Sequence, residues 1–181
     1  MFHTPPLKAK FVRLFFADFS VKLLACIGQN RGKIGAKMAK NAQFYILTEQ
    51  SQMTVEQLVC NLAAEAWRAG KRVLVACETE QQALNIDEAL WQRAPDEFVP
   101  HNLSGEATQF TPPIEISWKG KRNAQRRDLL INLQQEVPEF SHSFTQLIDI
   151  VPAEERQKVQ ARERYKQLRG LGWSLSTENA E

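Results

Sequence analysis

The pattern of hydrophobic positions after residue 42 predicts two short strands, each followed by a helix. Gln43–Leu47 is a short apolar run, and Arg72–Cys77 is apolar and β-branched, as in a strand covered on both faces. Between them, apolar residues recur at helical spacing from Val55 to about Ala69. Strands that alternate with helices at this spacing favour a parallel sheet with right-handed crossovers.

Capping residues indicate where both helices begin. T-V-E-Q at 54–57 and T-E-Q-Q at 79–82 fit the capping box, in which a Thr and a Gln three residues later bond each other's backbone amides. Gly70 is expected to end the first helix, and the second is expected to run to about Gln92. Each helix therefore has a start signal that does not depend on the hydrophobic pattern.

The remainder of the chain predicts more strands and one long helix. Loop residues dominate from Ala94 to Pro113. A helical pattern begins near Glu154, and Gly170 can stop it. The further strand candidates are Ile114–Trp118, Asp128–Leu133, Phe144–Val151 and a last extended segment at Trp173–Leu175. This order predicts one α/β domain with a mostly parallel sheet flanked by helices.

Residues 1–37 differ from the rest of the chain in pattern and in charge. They carry seven Lys or Arg against one Asp, whereas residues 38–181 carry sixteen Lys or Arg against twenty acids. Their apolar stretch at 11–27 is interrupted by three charged residues, so it predicts no membrane span. We expect Met38 to be the true start, and residues 1–37 to be poorly ordered if they are translated.

Composition and cysteine usage point to a cytoplasmic globular protein. The 181 residues are 43% hydrophobic and 24% charged, as in ordinary soluble domains. Cys26, Cys60 and Cys77 are far apart and form no ligand cluster with the histidines. Scattered cysteines in apolar contexts indicate reduced core thiols, so we expect no metal site.

The glycine motifs that bind nucleotides in α/β proteins are missing from the sequence. No G-x-G-x-x-G follows the first strand, and no G-x-x-x-x-G-K-[ST] occurs in the chain. The segment T-E-Q-S-Q-M-T at 48–54 has no glycine that would let backbone amides approach a phosphate. No acid is placed to orient the imidazole of Ser141-His142-Ser143. The sequence therefore predicts neither a cofactor nor a catalytic site.

The last predicted helix carries a row of cations. At about 100° per residue, five side chains fall within an arc of roughly 100°. They are Lys158, Arg162, Tyr165, Lys166 and Arg169. Because like charges repel, this grouping beside one aromatic ring suits an anion with an apolar end. A solvated helix face is the simpler alternative for such a charge run.

Two other segments leave alternatives open. Lys119–Arg127 holds five cations in nine residues, which suits non-specific phosphate contact, but it has no interleaved aromatics for base stacking. A direct DNA-binding module that uses this loop and the last helix therefore competes with a solvated connecting loop. Trp91 and Phe98 lie beside a loop, where aromatics either cover the core or anchor a protein interface.

Several segments resemble the chi subunit family of bacterial DNA polymerase III holoenzyme. The resemblance covers about residues 38–177, in the same order and with few gaps; the stretches 48–53 and 107–112 depart from the family's usual pattern. The matching segments are F-Y-I-L at 44–47, V-E-Q-L-V-C-N-L-A-A-E-A-W-R-A-G-K-R-V-L-V-A-C-E at 55–78, D-E-A-L-W-Q-R at 87–93, F-V-P-H-N-L-S-G-E at 98–106, R-R-D-L-L-I at 126–131, D-I-V-P at 149–152 and A-R-E-R-Y-K at 161–166.

This resemblance implies a small, non-catalytic protein of the clamp-loader complex with a single Rossmann-like domain that has lost nucleotide binding. It implies a 1:1 pairing with the psi subunit, which tethers it to the clamp loader. It also implies binding of the acidic C-terminal tail of single-stranded DNA-binding protein, and pairing with a helicase in place of psi. We therefore expect a cytoplasmic, replisome-associated subunit of a DNA-directed DNA polymerase, with no membrane partner.

The resemblance also assigns residues to two sites. At the first, cations bind the aspartates and terminal carboxylate of the tail, and Tyr165 with the following segment encloses its terminal aromatic side chain. The tail-binding residues are Lys158, Arg162, Tyr165, Lys166, Arg169, Leu175 and Thr177. The residues expected to face psi or a helicase are Trp91, Phe98, Pro100 and Val151.

Overall fold

The structure of the chain is a computed structural model that describes residues 39–106, 111–121 and 125–180. The predicted start at Met38 and the predicted extension over residues 1–37 lie outside the described residues and stay predictions. Within the described residues, no helix combines the length and the apolar character that crossing a bilayer requires.

In the described part of the chain, seven parallel strands form one open sheet, with three helices packed against it. The strands are β1 (Asn41–Leu47), β2 (Val73–Cys77), β3 (His101–Leu103), β4 (Ile114–Trp118), β5 (Leu129–Asn132), β6 (Gln146–Val151) and β7 (Ser174–Ala180). The helices are α1 (Val55–Arg68), α2 (Glu80–Trp91) and α3 (Glu155–Gly170). The strand order is β3-β4-β2-β5-β6-β1-β7, which confirms the predicted α/β class with a Rossmann-like sheet.

The helices lie on two faces because the chain crosses the sheet in two directions. From β1 the chain runs through α1 to β2 and through α2 to β3, towards one edge of the sheet. From β6 it runs through α3 to β7, at the other edge. Since right-handed crossovers in opposite directions cover opposite faces, α1 and α2 share one face and α3 covers the other. Two separate apolar cores result, one around Val59 and Ile86 and the other around Phe44 and Leu168.

The first predicted capping box is confirmed with both of its hydrogen bonds, and the second with one of its two. Thr54 and Gln57 exchange both bonds of the predicted box, at 3.0 and 3.2 Å. Thr79 accepts from the Gln82 amide at 3.2 Å, but the Gln82 side chain accepts from the amide of Glu78 instead of that of Thr79. The first helix ends as expected, with a left-handed Gly70 at φ +77° directly after its C-cap.

Three expectations about the remaining elements were wrong or incomplete. The predicted loop from Ala94 to Pro113 contains a 3₁₀ turn and the short edge strand β3. The last extended segment is the seven-residue strand β7, longer than Trp173–Leu175. Gly170 is still helical, and the left-handed residue that releases the chain is Gly172, at φ +79°. Strand β7 is mostly polar and lies at the sheet edge, so it carries little of the hydrophobic signal that reveals a strand.

Two cysteines lie where the sequence predicted core thiols. Cys60 and Cys77 are buried and unoxidised, and Cys26 lies outside the described residues. Burial raises the pKa of Cys60 to about 11 and that of Cys77 to about 12. Both thiols are therefore protonated and unreactive at neutral pH.

Candidate functional site

The cationic row predicted on the last helix lies along one side of α3, beside strand β7. The buried residues of α3 are Ala161, Arg164 and Leu168, and the row is rotated from them by about 110°. Tyr165 bridges the row and the sheet, with its ring centroid 5.2 Å from that of Phe44 at an interplanar angle of 57°. The row therefore faces sideways towards the sheet edge instead of straight into solvent.

Strand β7 brings the other two predicted residues to the same place. Leu175 is in register with Ala42, and Thr177 with Phe44, so their side chains lie on the α3 face of the sheet. Leu175 packs against the same apolar core as Tyr165. The structure thus brings the predicted tail-binding residues together, and we call this set the cationic groove: Lys158, Arg162, Tyr165, Lys166, Arg169, Leu175 and Thr177.

The four cations of the cationic groove differ in their pairing. Lys158 contacts Glu155 at 2.7 Å and Lys166 contacts Glu163 at 2.8 Å, each one turn earlier on the helix. Arg162 and Arg169 are exposed and form no salt bridge within the described residues. A bound anion would therefore meet the least competition at the two arginines, which flank Tyr165 along the helix.

Arg164, which sequence reasoning missed, fixes the rotation of α3. It is buried and donates two hydrogen bonds of 2.7 Å to the carboxylate of Asp149 on β6. Asn132 donates a third bond to that carboxylate at 3.0 Å, and Arg164 also donates to the Gln135 carbonyl. The available signal was an acid within the apolar run I-D-I-V, because a buried carboxylate requires a partner.

The second predicted site is an exposed aromatic surface at the opposite side of the molecule. Trp91 is 59% exposed and Phe98 is 51% exposed, and their ring centroids are 5.8 Å apart. Pro100 follows as a half-buried residue. The connecting loop is held by Arg93, which bonds Asn61 at 2.8 Å and Glu97 at 2.7 Å. We call Trp91, Phe98 and Pro100 the aromatic surface.

A buried imidazole supports this aromatic surface from below. His101 lies 4.9 Å from Trp91, ring centroid to ring centroid. Its Nδ1 donates to the Val99 carbonyl at 2.6 Å, and its Nε2 lies 3.4 Å from a carboxylate oxygen of Asp87. Burial raises the pKa of Asp87. The bond to Val99 fixes one side of the ring, and Trp91 packs against this buried imidazole.

Val151 does not join the aromatic surface. It is buried at the carboxyl end of β6, on the α3 face, whereas Trp91 ends helix α2 on the other face. Strand β6 lies four places from β3 in the sheet, about 19 Å at 4.8 Å per strand. An apolar residue that the prediction missed, Leu84, is 43% exposed on α2. It precedes Trp91 by seven residues, two helical turns, so it extends the aromatic surface along the same helix face.

The crevice where α/β proteins usually bind nucleotides is lined by acidic and basic side chains. A cavity of about 390 Å³ lies at the carboxyl ends of β5 and β6, beside the N-termini of α1 and α3. Its charged lining residues are Glu56, Glu78 and Glu154 together with Arg156 and Arg164, of which Arg164 is paired with Asp149. The three carboxylates stand near the helix N-termini that phosphates occupy in nucleotide-binding folds, and they oppose the attraction that Arg156 offers an anion there. Among the described residues, no group of His, Cys, Asp and Glu has the arrangement of a metal site.

The basic loop is less available to an anion than its sequence indicated. Arg127 is buried and donates to the Glu115 carboxylate at 2.8 and 3.1 Å. Lys119 is bonded to Glu78 at 2.6 Å, and Lys121 lies over the Trp118 ring at 5.7 Å. The cation at position 122 lies outside the described residues. Arg126 is the exposed arginine that remains at the described end of the loop.

Comparisons with known proteins agree on one family. The family model described as "DNA polymerase III chi subunit, HolC" matches residues 38–176. A protein named "DNA polymerase III subunit chi" from Haemophilus influenzae is 73% identical over 142 residues, which cover 78% of this chain and 99% of the relative. Proteins of the same name from Escherichia coli and Pseudomonas aeruginosa are 51% and 32% identical, over 76% and 73% of this chain and 97% and 91% of the relatives.

Proposed function

The chain belongs to the family of DNA polymerase III chi subunits, and on this premise we propose that it is a non-catalytic accessory subunit of the holoenzyme in DNA replication. In this role it binds the acidic C-terminal tail of single-stranded DNA-binding protein and, through psi, connects that protein to the clamp loader. The setting is the cytoplasmic replisome.

The observation that carries this proposal is the pairing state of the cationic groove. Arg162 and Arg169 are exposed, form no salt bridge within the described residues and stand on either side of Tyr165. Guanidinium groups bind carboxylates through charge-assisted hydrogen bonds, and the Tyr165 ring with Leu175 offers apolar contact. A peptide that ends in an apolar residue and a free carboxylate meets both requirements. Few anchors correspond to micromolar affinity, about −8 kcal/mol, which salt weakens.

The aromatic surface supports a separate proposal for psi. Exposed Trp and Phe side chains in ring contact are typical anchors of protein interfaces. We therefore assign the 1:1 psi contact, or a helicase contact in its place, to Trp91, Phe98 and Pro100. Because Val151 is buried under α3, we propose for it a supporting role in the core beneath that helix.

Charge reversal in the cationic groove tests the tail proposal. Arg162→Glu replaces an attractive charge with a repulsive one, so we expect the affinity for a tail peptide to fall by about 100-fold. Isothermal titration calorimetry with a synthetic peptide of the tail measures the change, and circular dichroism checks the fold.

The matched control is Arg156→Glu on the same helix. Arg156 is exposed, forms no salt bridge among the described residues and is rotated from Arg162 by about 120°. Its reversal changes the net charge equally, so we expect the affinity to change less than threefold. If both variants lost the same affinity for the tail peptide, net charge and not a specific site would explain the binding. Unchanged affinity in Arg162→Glu would reject the cationic groove as the binding site.

Direct DNA binding is the second candidate, and the structure favours it less. Two cations of its basic loop are already paired within the protein: Arg127 forms a buried ion pair, and Lys119 forms a salt bridge with Glu78. We expect no gel shift of naked single-stranded DNA at about 150 mM salt, where exposed charges are screened within about 8 Å. A shift that Arg126→Glu removes would favour the DNA-binding module instead.

A further inference from the structure

Strand β7 has one paired edge and one edge that no other described strand contacts. It is the last strand in the order of the sheet and pairs with β1. The Ser174 amide donates to the Lys40 carbonyl at 2.8 Å, which fixes the alternation of the whole strand. The amides and carbonyls of Ser174, Ser176 and Glu178 therefore point towards β1. Those of Leu175, Thr177 and Asn179 point away from it.

The outward-pointing positions belong to the same residues that line the cationic groove. The side chains of Leu175 and Thr177 lie on the α3 face, in register with Ala42 and Phe44. Their backbone groups point out of the sheet edge at the same level, because side chain and backbone of one residue share a position along the strand. The cationic groove and the open edge of β7 thus form one continuous surface.

This edge lacks the features that usually prevent strand addition. Proteins protect exposed edges with Lys, Pro, bulges or short strands. Strand β7 has seven residues, contains neither Lys nor Pro, and pairs with β1 without interruption from Ser174 to Ala180. Its single charge, Glu178, accepts a hydrogen bond from Gln43 at 2.6 Å on the face opposite to α3.

We propose that the acidic peptide of the cationic groove binds as an eighth strand, along the outer edge of β7. The inference rests on the proposed function and adds its binding mode. Side chains of an added strand alternate between the two faces. On the α3 face they meet Arg162 and Arg169, and on the other face they meet Glu178. Acidic side chains are therefore favoured at every second residue, and the peptide backbone bonds Leu175, Thr177 or Asn179.

A scan with backbone N-methylated peptides tests the proposal. Each peptide copies the tail of single-stranded DNA-binding protein and carries one N-methyl group, which removes one amide donor and leaves the side chains unchanged. Where the amide bonds to β7, we expect roughly tenfold weaker binding by calorimetry, and at the intervening residues less than twofold. The peptides with intervening methyl groups are the matched controls.

Amide hydrogen exchange gives a second, independent readout. With saturating unmodified peptide, exchange at the Thr177 amide should slow at least tenfold, together with Leu175 or Asn179. The Ser176 and Glu178 amides, already directed to β1, serve as internal controls and should not change.

The outcomes separate the two proposals. Strand addition is overturned if the unmodified peptide binds tightly but the loss of affinity in the N-methyl scan does not recur at every second residue. It is also overturned if the peptide binds tightly and exchange at the Thr177 amide does not slow. In both cases the proposed function still stands. Failure of the unmodified peptide to bind overturns both. A two-residue period together with slowed exchange supports both.

Discussion

Arg164 shows how a single buried residue determines where an exposed site faces. Its guanidinium holds the Asp149 carboxylate through two bonds, and both groups are nearly inaccessible to solvent. Breaking one half of such a pair leaves an uncompensated charge in the core. The sequence could not separate Arg164 from the exposed cations of the same helix, because charge alone does not reveal burial.

Removing Arg164 should destabilise the domain more than removing any groove cation. We expect Arg164→Ala to lower the free energy of unfolding by about 3–5 kcal/mol, measured by urea denaturation. Arg162→Ala, which removes an exposed side chain, should change it by less than about 0.5 kcal/mol. Similar values for both would show that the Asp149 pair adds nothing to stability.

Elements with strong periodicity were predictable, and the edges of the sheet were not. The hydrophobic pattern and the capping residues predicted α1, β2 and α2 to within a few residues. Strand β3 has only three residues and β7 has the polar sequence S-L-S-T-E-N-A, so neither offers enough buried positions for a period-two signal. Their strand conformation comes from pairing with a neighbour already in place.

Two glycines at the turn between α3 and β7 should respond in opposite directions when each is replaced by alanine. Gly172 has φ +79°, where a Cβ is strained, so Gly172→Ala should lower the free energy of unfolding by about 1 kcal/mol. Gly170 is the last helical residue and a Cβ there meets no atom within 4 Å. Gly170→Ala should therefore raise stability by up to about 1 kcal/mol.

Thermal or urea denaturation of both glycine variants measures the difference. The two substitutions add the same methyl group two residues apart, so opposite signs isolate backbone conformation. Equal signs would contradict the assignment of Gly172, rather than Gly170, as the residue that ends the helix.

At the scale of the whole molecule, the two proposed sites lie near opposite edges of the sheet. The cationic groove adjoins β7 and the aromatic surface adjoins β3, six strand spacings apart, or about 29 Å. The sequence, through its family resemblance, named most of these residues. The sequence did not show where Val151 lies, because an apolar residue at the end of a strand can lie on either face of the sheet.

This separation predicts independent binding of the two partners. Phe98→Ala should weaken psi by at least tenfold, a typical loss for an aromatic anchor, and leave the tail peptide unaffected. Arg162→Glu should do the reverse, and the double variant should show the sum of both free-energy changes, since sites farther apart than about 10 Å are additive. Calorimetry with each partner measures this, and a non-additive cycle would indicate that the two surfaces communicate.

The position of β1 has a consequence for how the protein is made. Asn41 pairs with Gln146 on one side and with Ser174 on the other, so the first strand that the structure describes lies between the last two that it describes. During synthesis, the apolar segment Asn41–Leu47 therefore lacks its two strand partners until residues 146–180 have been made. Pairing of this kind joins distant parts of the chain, and an apolar segment whose strand edges are still unpaired is prone to aggregation.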